Sequence, residues 1–141
     1  MLRGEFESAG ASTPAELRTA YEELLGEVVD RIGAETVAEG SGADPETVEA
    51  LAAGESPEVT LETAAAILAA EDGRPDAETI EMEALDILLM GMTTAVLDVE
   101  AVAAGIDDEM EPKEIQQKIE GRYPITLGEY ARLHAFIAGE R

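Results

Sequence analysis

The sequence predicts an all-α fold of about eight helices, arranged as two similar halves packed into one pseudo-symmetric domain. Three observations carry that expectation. Apolar residues recur at three-to-four spacing along almost the whole chain, the period of a helix buried on one side. No segment alternates as a strand does. The stretch Glu35–Leu61 is echoed at Glu100–Leu127. Within it, ETVAEG and EAVAAG share four of six residues, and Pro45, Val48, Gly54, Pro57, Thr60 and Leu61 recur as Pro112, Ile115, Gly121, Pro124, Thr126 and Leu127. Gly54 and Gly121 are 67 positions apart. A period of this kind is the signature of a repeated supersecondary unit.

Residues 1–12 are polar and glycine-containing and read as a flexible arm. Residues 13–72 form the first half, which opens on Thr13-Pro14-Ala15-Glu16. Thr13 can cap, Pro14 suits the first helical position, and Glu16 completes a capping box. Leu17, Tyr21, Leu24, Leu25, Val28 and Ile32 mark one buried face, and Gly33 ends that helix. A short helix over Ala34–Glu39 meets a turn at Gly40-Ser41-Gly42. Asp44 caps the next helix, Pro45 opens it, Val48 and Leu51 point inward, and Gly54 closes it in a left-handed conformation. Thr60 caps a further helix with Leu61, Ala64, Ala65, Ile67 and Leu68 as core.

Asp72-Gly73-Arg74-Pro75 breaks the chain, and residues 76–141 form the second half. Its long helix, Ala77–Leu97, carries Ile80, Ala84, Leu85, Ile87, Leu88 and Leu89, with Met92 and Val96 beyond. Being apolar on more than one side, it is expected at the centre, with Met90 and Met92 as packing residues. A short helix over Val99–Ala104, the acidic turn Asp107-Asp108-Glu109, and a helix over Pro112–Glu120 with Ile115 and Ile119 inward follow. Thr126 and Glu129 open the last helix with a second capping box; Tyr130, Leu133, Phe136 and Ile137 are its core side.

Charge bounds the chemistry. Among 141 residues, 32 are acidic and nine basic, a net charge of −23. A compact chain so charged repels itself in dilute buffer, and the repulsion is largely screened at about 1 M salt, where the Debye length is roughly 3 Å. Scarce lysine, few aromatics and abundant Ala and Gly complete the composition of proteins from salt-loving archaea, so high salt is expected to be required for folding. Cysteine is absent, which excludes disulfides, thiolate metal sites and a cysteine nucleophile. The start MLRGEFES lacks a signal-like apolar region, and the longest apolar run, Ala84–Leu97, contains Asp86 and falls short of the ~20 residues of a membrane span. A cytoplasmic protein without membrane contact is expected. The oligomeric state is left open.

The repeated pattern of short helix, turn, glycine-closed helix, Pro-containing loop and Thr-Leu helix start resembles the lambda repressor/Cro-like helix-turn-helix domains. The resemblance covers about 28–70 and, separately, about 93–138. Ala38 and Ala103 match the small residue packed between the two helices of the motif, Val48 and Ile115 the buried aliphatic of the recognition helix, and Glu120-Gly121 its ending. The whole chain, including LLMGMTTAVLD and EPKEIQQKIEGR, also resembles a haloarchaeal family of unknown function. The first resemblance implies that the outer face of each second motif helix faces a target, DNA or a partner protein. Fold alone does not choose between them.

In the first repeat that face would carry Glu46, Thr47, Glu49 and Ala50, and no basic residue occurs between Arg31 and Arg74. A surface without Lys or Arg lacks the main source of nucleic-acid affinity, so this copy reads as structural or protein-binding. The second repeat presents Lys113, Gln116, Gln117 and Lys118, followed by Arg122. Gln can bond an adenine edge, and Lys or Arg can meet guanine or phosphate. Residues 113–141 hold five basic and four acidic residues, whereas residues 1–112 hold four and 28. Against this stands ordinary surface pairing, for example Lys118 with Glu114 at i, i+4. The sequence therefore points to a regulatory helix-turn-helix protein that binds DNA through its second repeat, or to an interaction or scaffold module that has lost DNA binding.

No enzyme, cofactor or metal is expected. His134, the only histidine, has no Ser-His-Asp context and reads as structural or partly exposed. The acidic run Asp107–Glu111 lacks the alternating ligands and glycine of a calcium loop. Gly40-Ser41-Gly42 has neither the third glycine nor the preceding strand of a nucleotide-binding turn.

Overall fold

Most helices begin where a side chain can satisfy the free amides of the first turn. In the computed structural model, which describes residues 9–140, eight α-helices account for nearly all regular structure. Thr13 caps α1 (Pro14–Ile32), its hydroxyl accepting from the Glu16 amide while the Glu16 carboxylate accepts from the Thr13 amide. Gly33, at φ +92°, turns the chain directly into α2 (Ala34–Ser41). Asp44 accepts from the Glu46 amide and opens α3 (Pro45–Ala52), and Thr60 opens α4 (Leu61–Ala69). Asp76 caps α5 (Ala77–Ala95), and Asp98 caps α6 (Val99–Gly105). α7 (Pro112–Ile119) has Glu111 at its cap position without a side-chain cap bond. Thr126 and Glu129 form the expected capping box of α8 (Leu127–Gly139). Gly54 follows α3 at φ +81°, the left-handed glycine expected there, and Gly121 follows α7 in the same conformation at φ +78°.

Boundaries differ from expectation in three places. Ser41 donates to the Val37 carbonyl and accepts from the Ala43 amide, which keeps Gly40 and Ser41 inside α2 and moves the turn to Gly42. α5 stops at Ala95, because Val96 takes a left-handed conformation (φ 56°, ψ 49°). Of the expected arm, residues 1–8 lie outside the described residues, and Ala9–Ala11 form a 3-10 turn packed on α8 with Ala9 buried.

Packing interleaves the two halves. α1 lies against α8 and α3, and α5 lies against α4 and α8, so the opening helix of each half contacts the closing helix of the other. Tyr21, Leu25 and Val28 from α1 and Tyr130, Leu133 and Ile137 from α8 share one continuous core with Leu61, Ile67, Leu68, Ile80 and Leu88. Thr60 and Thr126, positions that the sequence repeat matches, form an isolated antiparallel bridge. Its two hydrogen bonds are reciprocal: the Leu61 amide donates to the Ile125 carbonyl at 2.7 Å and the Leu127 amide to the Val59 carbonyl at 2.8 Å. Among the described residues there is no longer β pairing.

Candidate functional site

α7 is the element on which the sequence placed its contacts. Pro112 opens it, Ile115 and Ile119 bury its inner side, and α6 and α5 support it. At about 100° per residue, Lys113, Gln116 and Gln117 fall on the outward side. Lys113 and Gln116 are exposed, and Gln117 is half-buried. Arg122 lies past the end of the helix with its side chain 71% exposed.

Lys118 is elsewhere. Its side chain is only 12% exposed and is paired on both sides, with the Glu114 carboxylate at 2.8 Å and with Glu129 of α8. Burial disfavours its charge, but the hydrogen bonds to Glu114 and Glu129 outweigh that and raise its pKa. Burial likewise opposes the charge of Glu129, yet Lys118 and the Thr126 cap bring its pKa below the usual range. Lys118 thus fastens α7 to the start of α8. The helix face itself carries a carboxylate: Glu120 accepts from Gln116 Nε2 at 3.4 Å and lies 3.5 Å from Arg122 Nε. Four of the five expected contact residues therefore share the surface of α7 and the turn after it, and the fifth does not.

The corresponding face of the first half is acidic, as its sequence foretold. Glu46 and Glu49 are exposed on α3, and the hollow between α2 and α3 is lined by Glu35, Glu39 and Glu49 with Ala34, Ala38 and Pro45.

α5 departs most from expectation. Ile80, Ala84, Leu88 and Gly91 are buried, as a central helix requires. Leu89, Met90 and Val96, expected inside, are 52%, 55% and 89% exposed, and Met82 is 63% exposed. Met82, Leu85, Leu89, Met92 and Val96 follow a 3-4-3-4 spacing, the a/d pattern of a helix seam. From Met82 to Met92 they share an arc of roughly 80°. That spacing was readable in the sequence, but a second apolar face looks the same whether it is covered or bare. The first half shows what covering it would take. Counted from the caps Thr13 and Asp76, Gly26 of α1 stands where Leu89 stands in α5. A side chain at Gly26 would collide with the Leu51 carbonyl of α3, so α3 closes tightly on α1. In the second half Leu89 stands at that position, α7 lies less closely on α5, and a hollow of about 340 Å³ opens between α5, α6 and α7, floored by Leu89, Met92, Val99 and Ile119.

The remaining groups are structural in their surroundings. His134 is buried; its Nδ1 is hydrogen-bonded to the Tyr21 hydroxyl, and the two rings lie end to end and nearly parallel, 6.2 Å apart between centroids. Tyr130 packs edge-on against both rings and donates to the Ala84 carbonyl at 2.7 Å. In the acidic turn, Asp107 and Asp108 are left-handed, and no group of three or more acidic or histidine side chains that could hold a metal occurs among the described residues. No single helix among them is long and apolar enough to cross a membrane; α5 and α6 meet the criterion only together, bent by 96°.

The chain belongs to a family of unknown function (DUF5791), whose model matches residues 17–140 and so runs through both halves. No curated protein and no solved structure matches it.

Proposed function

We propose that this member of the family is a regulatory module of helix-turn-helix ancestry that acts by holding a partner protein rather than DNA. The observation that carries the reading is the fate of Lys118. The most central cation of the second recognition helix is spent on Glu114 and Glu129, and Glu120 sits among the groups that remain. Nucleic-acid affinity grows with the number of phosphates neutralised, and this face offers only Lys113 and Arg122. The first half offers no cation on its counterpart face. The reciprocal bridge at Thr60 and Thr126 supports the reading of the two halves as a duplicated pair about a pseudo-twofold axis. The charge of −23 supports a cytoplasm rich in salt as the working environment.

DNA binding through the second repeat is the competing function. It is favoured by the common outward placement of Lys113, Gln116 and Gln117, with Arg122 beside them. Selection from a randomised duplex library at the lowest KCl that keeps the native circular dichroism spectrum, where phosphate contacts are least screened, separates the two. The partner-protein reading expects no enriched sequence. Enrichment that disappears in the Lys113→Glu, Arg122→Glu double variant would overturn it. Lys118→Glu is unsuited to this test, since it sets three carboxylates together and loosens α7 from α8.

A further inference from the structure

The open face of α5 is an apolar stripe inside an acidic border. Met82 and Leu89 project from it, and Leu85 and Met92 continue it into the hollows beside α7. Around it stand Glu62, Glu78 and Glu81 at one end and Asp98 and Glu120 at the other. Lys118 and Arg122 also reach the border, but Lys118 is paired with Glu114 and Glu129 and Arg122 lies beside Glu120. Crowding among the carboxylates is evident at Glu81: burial, then the charges of Glu62 and Glu78, raise its pKa.

We infer that the α5 stripe, with the α5–α7 hollow, receives an amphipathic helix of a partner protein whose aliphatic seam is flanked by Lys and Arg. This rests on the partner-protein reading above and gives that partner a shape and a charge. The 3-4-3-4 spacing selects a helix as the complementary surface, because knobs at that spacing fit the holes of another helix. The acidic border selects the sign of its flanks. A second copy of this chain would bring the same carboxylates face to face and add a second charge of −23, so it fits the border poorly.

The test uses the full chain and two fluorescent synthetic helices of about three heptads. Both carry Leu at a and d; one has Lys and Arg on the flanking positions, the other Glu. Anisotropy is read at the lowest KCl that keeps the native circular dichroism spectrum, and again in about 3 M KCl. The basic-flanked helix is expected to bind in both, and at the lower salt several-fold more tightly than the acidic one. Leu89→Asp is expected to weaken it by roughly tenfold or more, and Met82→Asp to weaken it as well. Both side chains are more than half exposed, so helicity should be unchanged. Binding of neither helix, equal binding of both at the lower salt, or indifference to both substitutions overturns the inference. So does self-association by sedimentation that Leu89→Asp abolishes, which would give the stripe to a second copy. Failure here with no DNA selected leaves the partner-protein reading standing, whereas DNA selection removes that reading whatever the peptides do.

Discussion

Tyr21 and His134 are 113 positions apart in sequence and hydrogen-bonded in the core. The side of the helix on which Tyr21 and Tyr130 lie was legible from spacing alone. The partner of His134 was not, because it belongs to the other half, and only the crossing of α1 over α8 brings it near. Lys118 divides the same way. Its i, i+4 bond to Glu114 could be read off one helix, but Glu129 required the start of α8 beside α7. Tyr21→Phe keeps the ring packing and removes the hydroxyl partner of the buried His134 Nδ1. It should lower the free energy of unfolding by roughly 1–2 kcal/mol, measured by denaturant titration in high salt. The phenols also set an alkaline limit. Burial raises the pKa of both Tyr21 and Tyr130 above the usual 10.0. Below pH 10 both states keep the proton and nothing is lost. Above it the unfolded chain ionises first, so stability should fall with rising pH, and less steeply in Tyr21→Phe.

α5 differs most from what its sequence leads one to expect. Caps were legible at Thr13, Asp44, Thr60, Asp76 and Thr126 because a cap is local chemistry within one turn. The exposure of Leu89 and Met90 was not local. At Leu89 it goes with the looser packing of α7 on α5, at the position where α1 has Gly26 and α3 packs closely. The same helix ends at Val96 rather than running on through it. A left-handed conformation in an L-residue carries a penalty of roughly 1–2 kcal/mol, which glycine avoids. Val96→Gly should therefore raise stability by about 1 kcal/mol despite the added freedom of the unfolded chain. A lower midpoint in the same titration would mean that the Val96 side chain, 89% exposed, nonetheless contributes packing.

For the molecule as a whole, charge and topology decide the behaviour. Helicity by circular dichroism is expected to rise with KCl as repulsion among 32 acidic residues is screened. A chain fully folded in dilute buffer, with stability indifferent to salt, would contradict that. The all-α class and the helix count were legible because helix periodicity fills nearly the whole sequence, but the exchange of partners between halves was not, since no local signal encodes which helix a face meets. That exchange has a kinetic consequence. Ala9–Ala11 pack on α8, and Gly10 approaches Ala138 and Gly139 closely, so the two ends of the described chain are neighbours. Joining them and reopening the chain at Gly73, in the exposed turn between α4 and α5, would make the α1–α8 contact local and the α4–α5 contact distant. These two packings are counterparts and offset each other, but the packing of Ala9–Ala11 on α8 also becomes local, so the average sequence separation of contacts would fall slightly, and with it the loop-closure entropy that governs folding speed. Such a circular permutant should reach the same helicity and refold within a few-fold of the parent rate in stopped-flow experiments.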